Sequence, residues 1–203
     1  MKVEEFFSEG FRLAKPEYWT IIFNCLIYLI VGIVAIFSIV GWLALPSLVA
    51  GFTRFTLRAA RGSDVDVGDS MSWAFKDGMW SKSLVYGLVS TLGILIGFIL
   101  LIIPGLYLIA AWALGWFLLV EERIRPMEAL ARSRELVHEV GFWKVFITII
   151  VLQIGTKLIQ LIPYVGPLLL LFLYPLIVMV YVSIFEHAIK GDAQAIDADF
   201  QEN

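Results

Sequence analysis

The sequence predicts an all-α integral membrane protein: six transmembrane helices arranged as three repeated units, each an interfacial amphipathic helix followed by a transmembrane hairpin. Three observations carry this. First, 60% of the 203 residues are hydrophobic and 16% are charged, against roughly 45–50% and 25% in a soluble domain, and the mean hydropathy is +0.87. Second, the charges are confined between long apolar runs. Tyr18 to Thr53 and Ser83 to Val120 hold no charge, and Val145 to Phe185 holds only Lys157. Each run is about twice the 20 or so residues that one span needs. Third, each run is punctuated near its middle by proline and glycine: Gly41 and Pro46, then Pro104-Gly105, then Pro163 and Gly166-Pro167. Such punctuation reads as a turn between two spans. Hydrocarbon offers the backbone no hydrogen-bond partner, so the spans should be helices.

In order along the chain, residues 1–17 place Val3, Phe6, Phe7, Gly10, Phe11 and Ala14 on one helical face, with Glu5, Glu9 and Arg12 turned away. Pro16 should end this helix. It is expected to lie on the bilayer surface. The first hairpin follows, and its return span ends in Arg54, Arg58 and Arg61. A second amphipathic segment, 69–80, sets Met71, Ala74, Phe75, Gly78 and Met79 on one face and leads into the central hairpin. A third opens at Pro126, with Ala129, Leu130, Ser133, Leu136, Val137 and Val140 on its apolar face and Glu128, Arg132, Glu135 and Glu139 opposite. Trp19, Trp80 and Trp143 stand at the three hairpin entries, where an aromatic belt at headgroup level belongs. They recur at near-equal intervals, as do Pro46, Pro104 and Pro167. The repeat units are therefore about 1–62, 63–125 and 126–191 of a single membrane domain, 1–191. Residues 192–203 form an acidic tail, expected to fray.

Four segments, LRAARG (57–62), GDSMSWAF (68–75), LLIIPGLYLIAAWAL (100–114) and PMEALARSRELVHEVGFWKVF (126–146), resemble the membrane domain that accompanies some glycerophosphoryl diester phosphodiesterases. They are also similar to related stand-alone polytopic membrane proteins of unknown function. The resemblance covers roughly residues 40–190 and implies a helical membrane domain. It implies no phosphodiesterase activity, because the catalytic barrel of those enzymes is a separate domain.

Candidate chemistry is sparse. The chain has two histidines, His138 and His187, one cysteine, Cys25, and no metalloprotease, phosphate-loop or dinucleotide motif. No catalytic residue, cofactor or metal is implied, and the reading is not an enzyme. Gly93 and Gly97 form a small-xxx-small packing motif. Gln153, Thr156, Lys157 and Gln160 make one polar stripe on the fifth span, which serves either as a solute path or as inter-helix glue with Lys157 reaching outward. Arg58 and Arg61 are candidate lipid-headgroup contacts. Arg54 lies deeper and needs a carboxylate. If the repeat places the three return spans side by side, Glu121 or Glu186 should supply it, in a polar clasp.

Of the 15 Lys and Arg, all but Lys157 lie outside the hairpins' interiors and turns, in the termini and connections. The positive-inside rule then puts a multi-pass protein in the cell (inner) membrane with both termini cytoplasmic. The function expected is a non-enzymatic scaffold or accessory module binding a partner or lipid at the cytoplasmic leaflet. The alternative is a small-solute or lipid transporter or channel using the stripe of the fifth span. The expected partners are the bilayer and a membrane protein or second copy of the chain, and no nucleic acid.

Overall fold

A computed structural model describes residues 3–15, 18–36, 39–63, 66–163 and 165–202, and every regular element among them is an α-helix. In chain order these are α1 (Val3–Ala14), α2 (Tyr18–Ile36), α3 (Ile39–Ala60), α4 (Val67–Trp73), α5 (Met79–Leu100), α6 (Ile102–Ala111), α7 (Gly115–Glu121), α8 (Pro126–Val140), α9 (Phe142–Gln160) and α10 (Val165–Glu202). Five stretches among the described residues are long and apolar enough to cross a membrane: Tyr18–Ala35, Met79–Leu100, Ile102–Glu121, Phe142–Gln160 and Val165–Ala193. The chain is thus a multi-span helical membrane protein.

The expected sixth span, α3, is not among them. Pro46, Ser47, Arg54 and Arg58 dilute its apolar character, and its packing differs from that of a return helix laid flat along its neighbours. The Trp80 indole, at the start of α5, donates to the Leu43 carbonyl, while Arg61, just past the far end of α3, reaches Glu121 at the end of α7. The start of α5 and the end of α7 are themselves joined, since the Lys82 ammonium donates to the Arg123 carbonyl. A helix of 22 residues is about 33 Å long, so α3 crosses α5 steeply instead of running antiparallel to it.

Most of the punctuating prolines and glycines lie inside the returning helices. Leu101 alone is extended between α5 and α6, so Pro104 and Gly105 sit in the first turn of α6. There a proline loses no helical hydrogen bond. Gly166 and Pro167 likewise fall in the first turn of α10, and the bend is at Leu161–Pro163. Gly41 and Pro46 both lie inside α3, which begins at Ile39. Pro16, expected to end the first helix, lies outside the described residues.

Of the three amphipathic segments, α8 buries all six residues of its apolar face: Ala129, Leu130, Ser133, Leu136, Val137 and Val140. It packs among α5, α6, α7, α9 and α10 instead of lying outside the bundle. The face α1 packs is narrower than expected. Phe6, Gly10 and Ala14 are buried, whereas Phe11 stays 61% exposed. The close line is against α10, where a Cβ on Gly10 would stand 2.8 Å from the Val180 backbone nitrogen and the Ser183 hydroxyl donates to the Phe6 carbonyl. The second segment is cut short. Helix α4 ends at Trp73, and Asp77 and Gly78 take left-handed φ of 52° and 72°, a turn that Asp-Gly favours. The acidic residues expected to fray continue α10 to Glu202.

The buried core gathers where the hairpin bases meet: Phe55 and Leu57 of α3, Leu118 and Leu119 of α7, Leu136 and Val137 of α8, and Ile184 and Phe185 of α10. The hairpin tips carry exposed apolar residues instead, for example Val34, Ile103 and Leu161 at 66%, 78% and 74%. The three units expected from the repeat differ in build: the first return helix crosses its neighbour, the second is broken, and the third runs on as one helix.

Candidate functional site

The polar chemistry collects at the hairpin bases. Helix α3 runs out into Arg61, whose guanidinium donates from Nε to Glu186 at 2.8 Å and from Nη1 to Glu121 at 2.7 Å. One planar fork thereby joins the ends of α3 and α7 to the middle of α10, with charge-assisted bonds on two of its edges. The clasp expected from sequence uses these carboxylates but a different arginine. Arg54 is two turns back, on the side of α3 that meets α4. Its Nη2 lies 3.6 Å from Asp69, and its guanidinium carbon sits 4.6 Å from the centre of the Trp73 ring. Arg58 shares Asp69 at 3.3 Å. The difference is one of height: seven residues bring Arg61 back to nearly the face of Arg54 but about two turns further along, level with Glu121 and Glu186. Asp69 and Trp73 were not singled out from the sequence. The signal available was Asp66, which caps α4 by accepting from the Gly68 N–H, and which would have set the phase of the short helix.

The Arg61 side chain is 40% exposed, Glu121 37% and Glu186 24%, so the clasp is neither a surface pair nor a buried one. Arg61→Ala is expected to lower stability by about 1–2 kcal/mol, between the values for exposed and buried pairs. Adding Glu121→Gln and Glu186→Gln should recover part of that loss. Thermal unfolding in detergent checks this, and a double-mutant cycle with no coupling would sink the clasp as an energetic unit.

Beside the clasp lies a cavity of about 480 Å³ between α1, the end of α3 and α10. Ser8, Glu9, Arg12, Arg61, His187 and Lys190 are among its walls. Arg12 is engaged by Glu9 at 2.5 Å, and Arg61 by its two carboxylates. The lining therefore carries both signs of charge and suits a zwitterionic or mixed-charge group better than a simple anion.

A second feature is the gap between α6 and α7. Trp112–Leu114 leave the helix, which in a membrane span is tolerated only where protein satisfies the freed groups. Here Ser133 of α8 does so. Its hydroxyl, fully buried, donates to the Ala111 carbonyl at 2.9 Å and accepts from the Leu114 N–H at 3.2 Å. The Tyr86 hydroxyl reaches the Trp112 carbonyl at 3.4 Å. The apolar-face pattern places Ser133 inward; nothing in it signals a broken neighbour.

The remaining candidates stand apart. Gly93 and Gly97 seat α6 within the chain: a Cβ on Gly93 would be 2.5 Å from the Trp112 ring, and one on Gly97 3.0 Å from the Gly105 backbone. Gln153, Lys157 and Gln160 are exposed on α9, and Thr156 donates to its own Leu152 carbonyl. Lys157 donates to Gln160 at 3.3 Å, so the stripe faces away from the bundle. Tyr107 and His138 form one further pair, at 3.0 Å, beside the stacked ring of Phe142. Among the described residues no group of three or more His, Cys, Asp or Glu could hold a metal ion. The chain matches no protein-family model, no curated protein and no solved structure.

Proposed function

We propose that the chain is a non-enzymatic module of the cell (inner) membrane that binds a lipid headgroup or a membrane-protein partner at the cytoplasmic leaflet. The observation behind this reading is the gathering of α1, α4, α8, the Arg61 clasp and the mixed-charge cavity at the hairpin bases, opposite apolar tips. Such a base presents polar groups to one leaflet only. The resemblance to the membrane domain that accompanies glycerophosphoryl diester phosphodiesterases belongs to the same proposal. The transport reading needs Gln153, Thr156, Lys157 and Gln160 to line a path, and their outward orientation weakens it.

The proposal requires both termini on the cytoplasmic side. Basic residues flank the first hairpin at Lys15 and at Arg58 and Arg61, which favours its return to the side it left. In a Cys25→Ser background, single cysteines at positions 105 and 165 should label from outside, and cysteines at 63 and 203 only after permeabilisation. Termini on opposite faces would reject the arrangement. Purified protein in vesicles should pass no small solute, while cross-linking in native membranes should capture a partner or headgroup through Arg12 and Lys190. Solute flux by the protein alone would favour transport.

A further inference from the structure

Away from the clasp, the first hairpin and the start of α10 enclose an apolar groove of about 570 Å³. Its walls are Cys25, Tyr28, Leu29 and Gly32 of α2, Leu45, Leu48, Val49 and Phe52 of α3, and Pro167, Leu170, Leu171 and Tyr174 of α10. We infer that this groove holds one hydrocarbon chain of a bilayer lipid.

The occupant is fixed by three arguments. The groove belongs to the membrane-facing surface: the α2 and α10 walls lie within stretches long and apolar enough to cross, and the rim residues Leu29 and Val49 are 51% and 43% exposed. The groove is thus continuous with the surface that acyl chains already cover. Its wall is almost wholly apolar, with the Cys25 thiol and the Tyr28 and Tyr174 hydroxyls its only polar side-chain groups. The Tyr28 hydroxyl oxygen is shut off from the open space, close to Gly51, where a Cβ would stand 2.9 Å from it, so the ring of Tyr28 lines the groove. Cys25 is only 6% exposed.

Size excludes the competing occupant, a helix from a second copy. A helix is about 10–12 Å across and rises about 5.4 Å per turn, so 570 Å³ takes roughly one turn. A flexible chain fits the same space along its length. Left empty, the groove would cost its lining atoms their dispersion contacts on one side. Gly32 keeps the space open, since a Cβ there would meet nothing within 4 Å.

The test uses vesicles of phosphatidylcholine doped with phosphatidylcholine carrying a diazirine in its acyl chain. After irradiation, cross-links on the peptides bearing Tyr28, Phe52 and Tyr174 should exceed those on the exposed Leu95–Ile103 ridge of the second hairpin roughly tenfold, the ratio for a site favoured by about 1.4 kcal/mol. Gly32→Phe should erase the excess by filling the groove. Gly155→Phe should not, because Gly155 also meets open space but lies on α9. Native mass spectrometry of the wild-type protein after detergent exchange gives a second readout independent of any variant, with one retained lipid expected. No retained lipid, or equal cross-linking on groove and ridge, overturns the inference, as does an excess that survives in a folded Gly32→Phe protein. The inference stands apart from the clasp and its cavity, so loss of partner binding there leaves it intact.

Discussion

Gly115→Ala is expected to destabilise the protein by about 3 kcal/mol, at the top of the usual range for overpacking. A Cβ at this position would stand 2.0 Å from the Tyr86 hydroxyl and 2.9 Å from the ring carbon that bears it. A flexible side chain could retreat from such a clash. Tyr86 cannot: it is 1% exposed, its ring packs edge-on against Trp116 with centroids 4.6 Å apart, and its hydroxyl is engaged with the Trp112 carbonyl. The expected result is a large fall in the thermal midpoint, read by unfolding in detergent. Tyr86→Phe should rescue part of it, because the nearest atom is then gone and only the ring contacts at 2.9 and 3.1 Å remain. Gly115→Ala with an unchanged midpoint would mean that α7 meets α5 elsewhere.

Ser133→Ala carries the second large effect, about 2–4 kcal/mol. It strands both the Ala111 carbonyl and the Leu114 N–H in the core, and each unmet buried group costs about 1–3 kcal/mol. The informative control is Ser83→Ala. Ser83 is as fully buried, yet its hydroxyl has no partner among the described residues. Removing it should be neutral or slightly stabilising, since an unpaired polar group is removed from the interior. Equal losses in the two variants would show that Ser133 acts by volume alone, not by mending the helix break.

What could be read from the residues followed from how local each signal was. The face of α8 was legible to the residue, because a helix buried on one side repeats its apolar positions and nothing else competes. Glu121 and Glu186 were legible as a carboxylate pair because both mark the point where an apolar return helix reaches charge. The arginine between them was not. Choosing among Arg54, Arg58 and Arg61 requires the height and tilt of α3, and these depend on contacts such as Trp80 with Leu43 that periodicity does not encode. The turns were misplaced for a related reason. A proline in a membrane hairpin is as well placed in the first turn of the returning helix as in the bend itself, so Pro104 and Pro167 mark neighbourhoods, not corners. Gln153, Thr156, Lys157 and Gln160 all lie on α9, but the spacing of a stripe carries no information about which way it points.

The arrangement of Ser133 against Trp112–Leu114 also imposes an order on biosynthesis. The defect precedes its repair along the chain. When α6 and α7 first leave the insertion machinery, the residue that will satisfy their open carbonyl and amide has not yet been delivered. The nascent hairpin must keep those groups in water, or in the polar interior of the machinery, until α8 docks. The span built from α6 and α7 therefore becomes lipid-competent only as a three-helix unit, and a chain halted between α7 and α8 is a natural substrate for quality control.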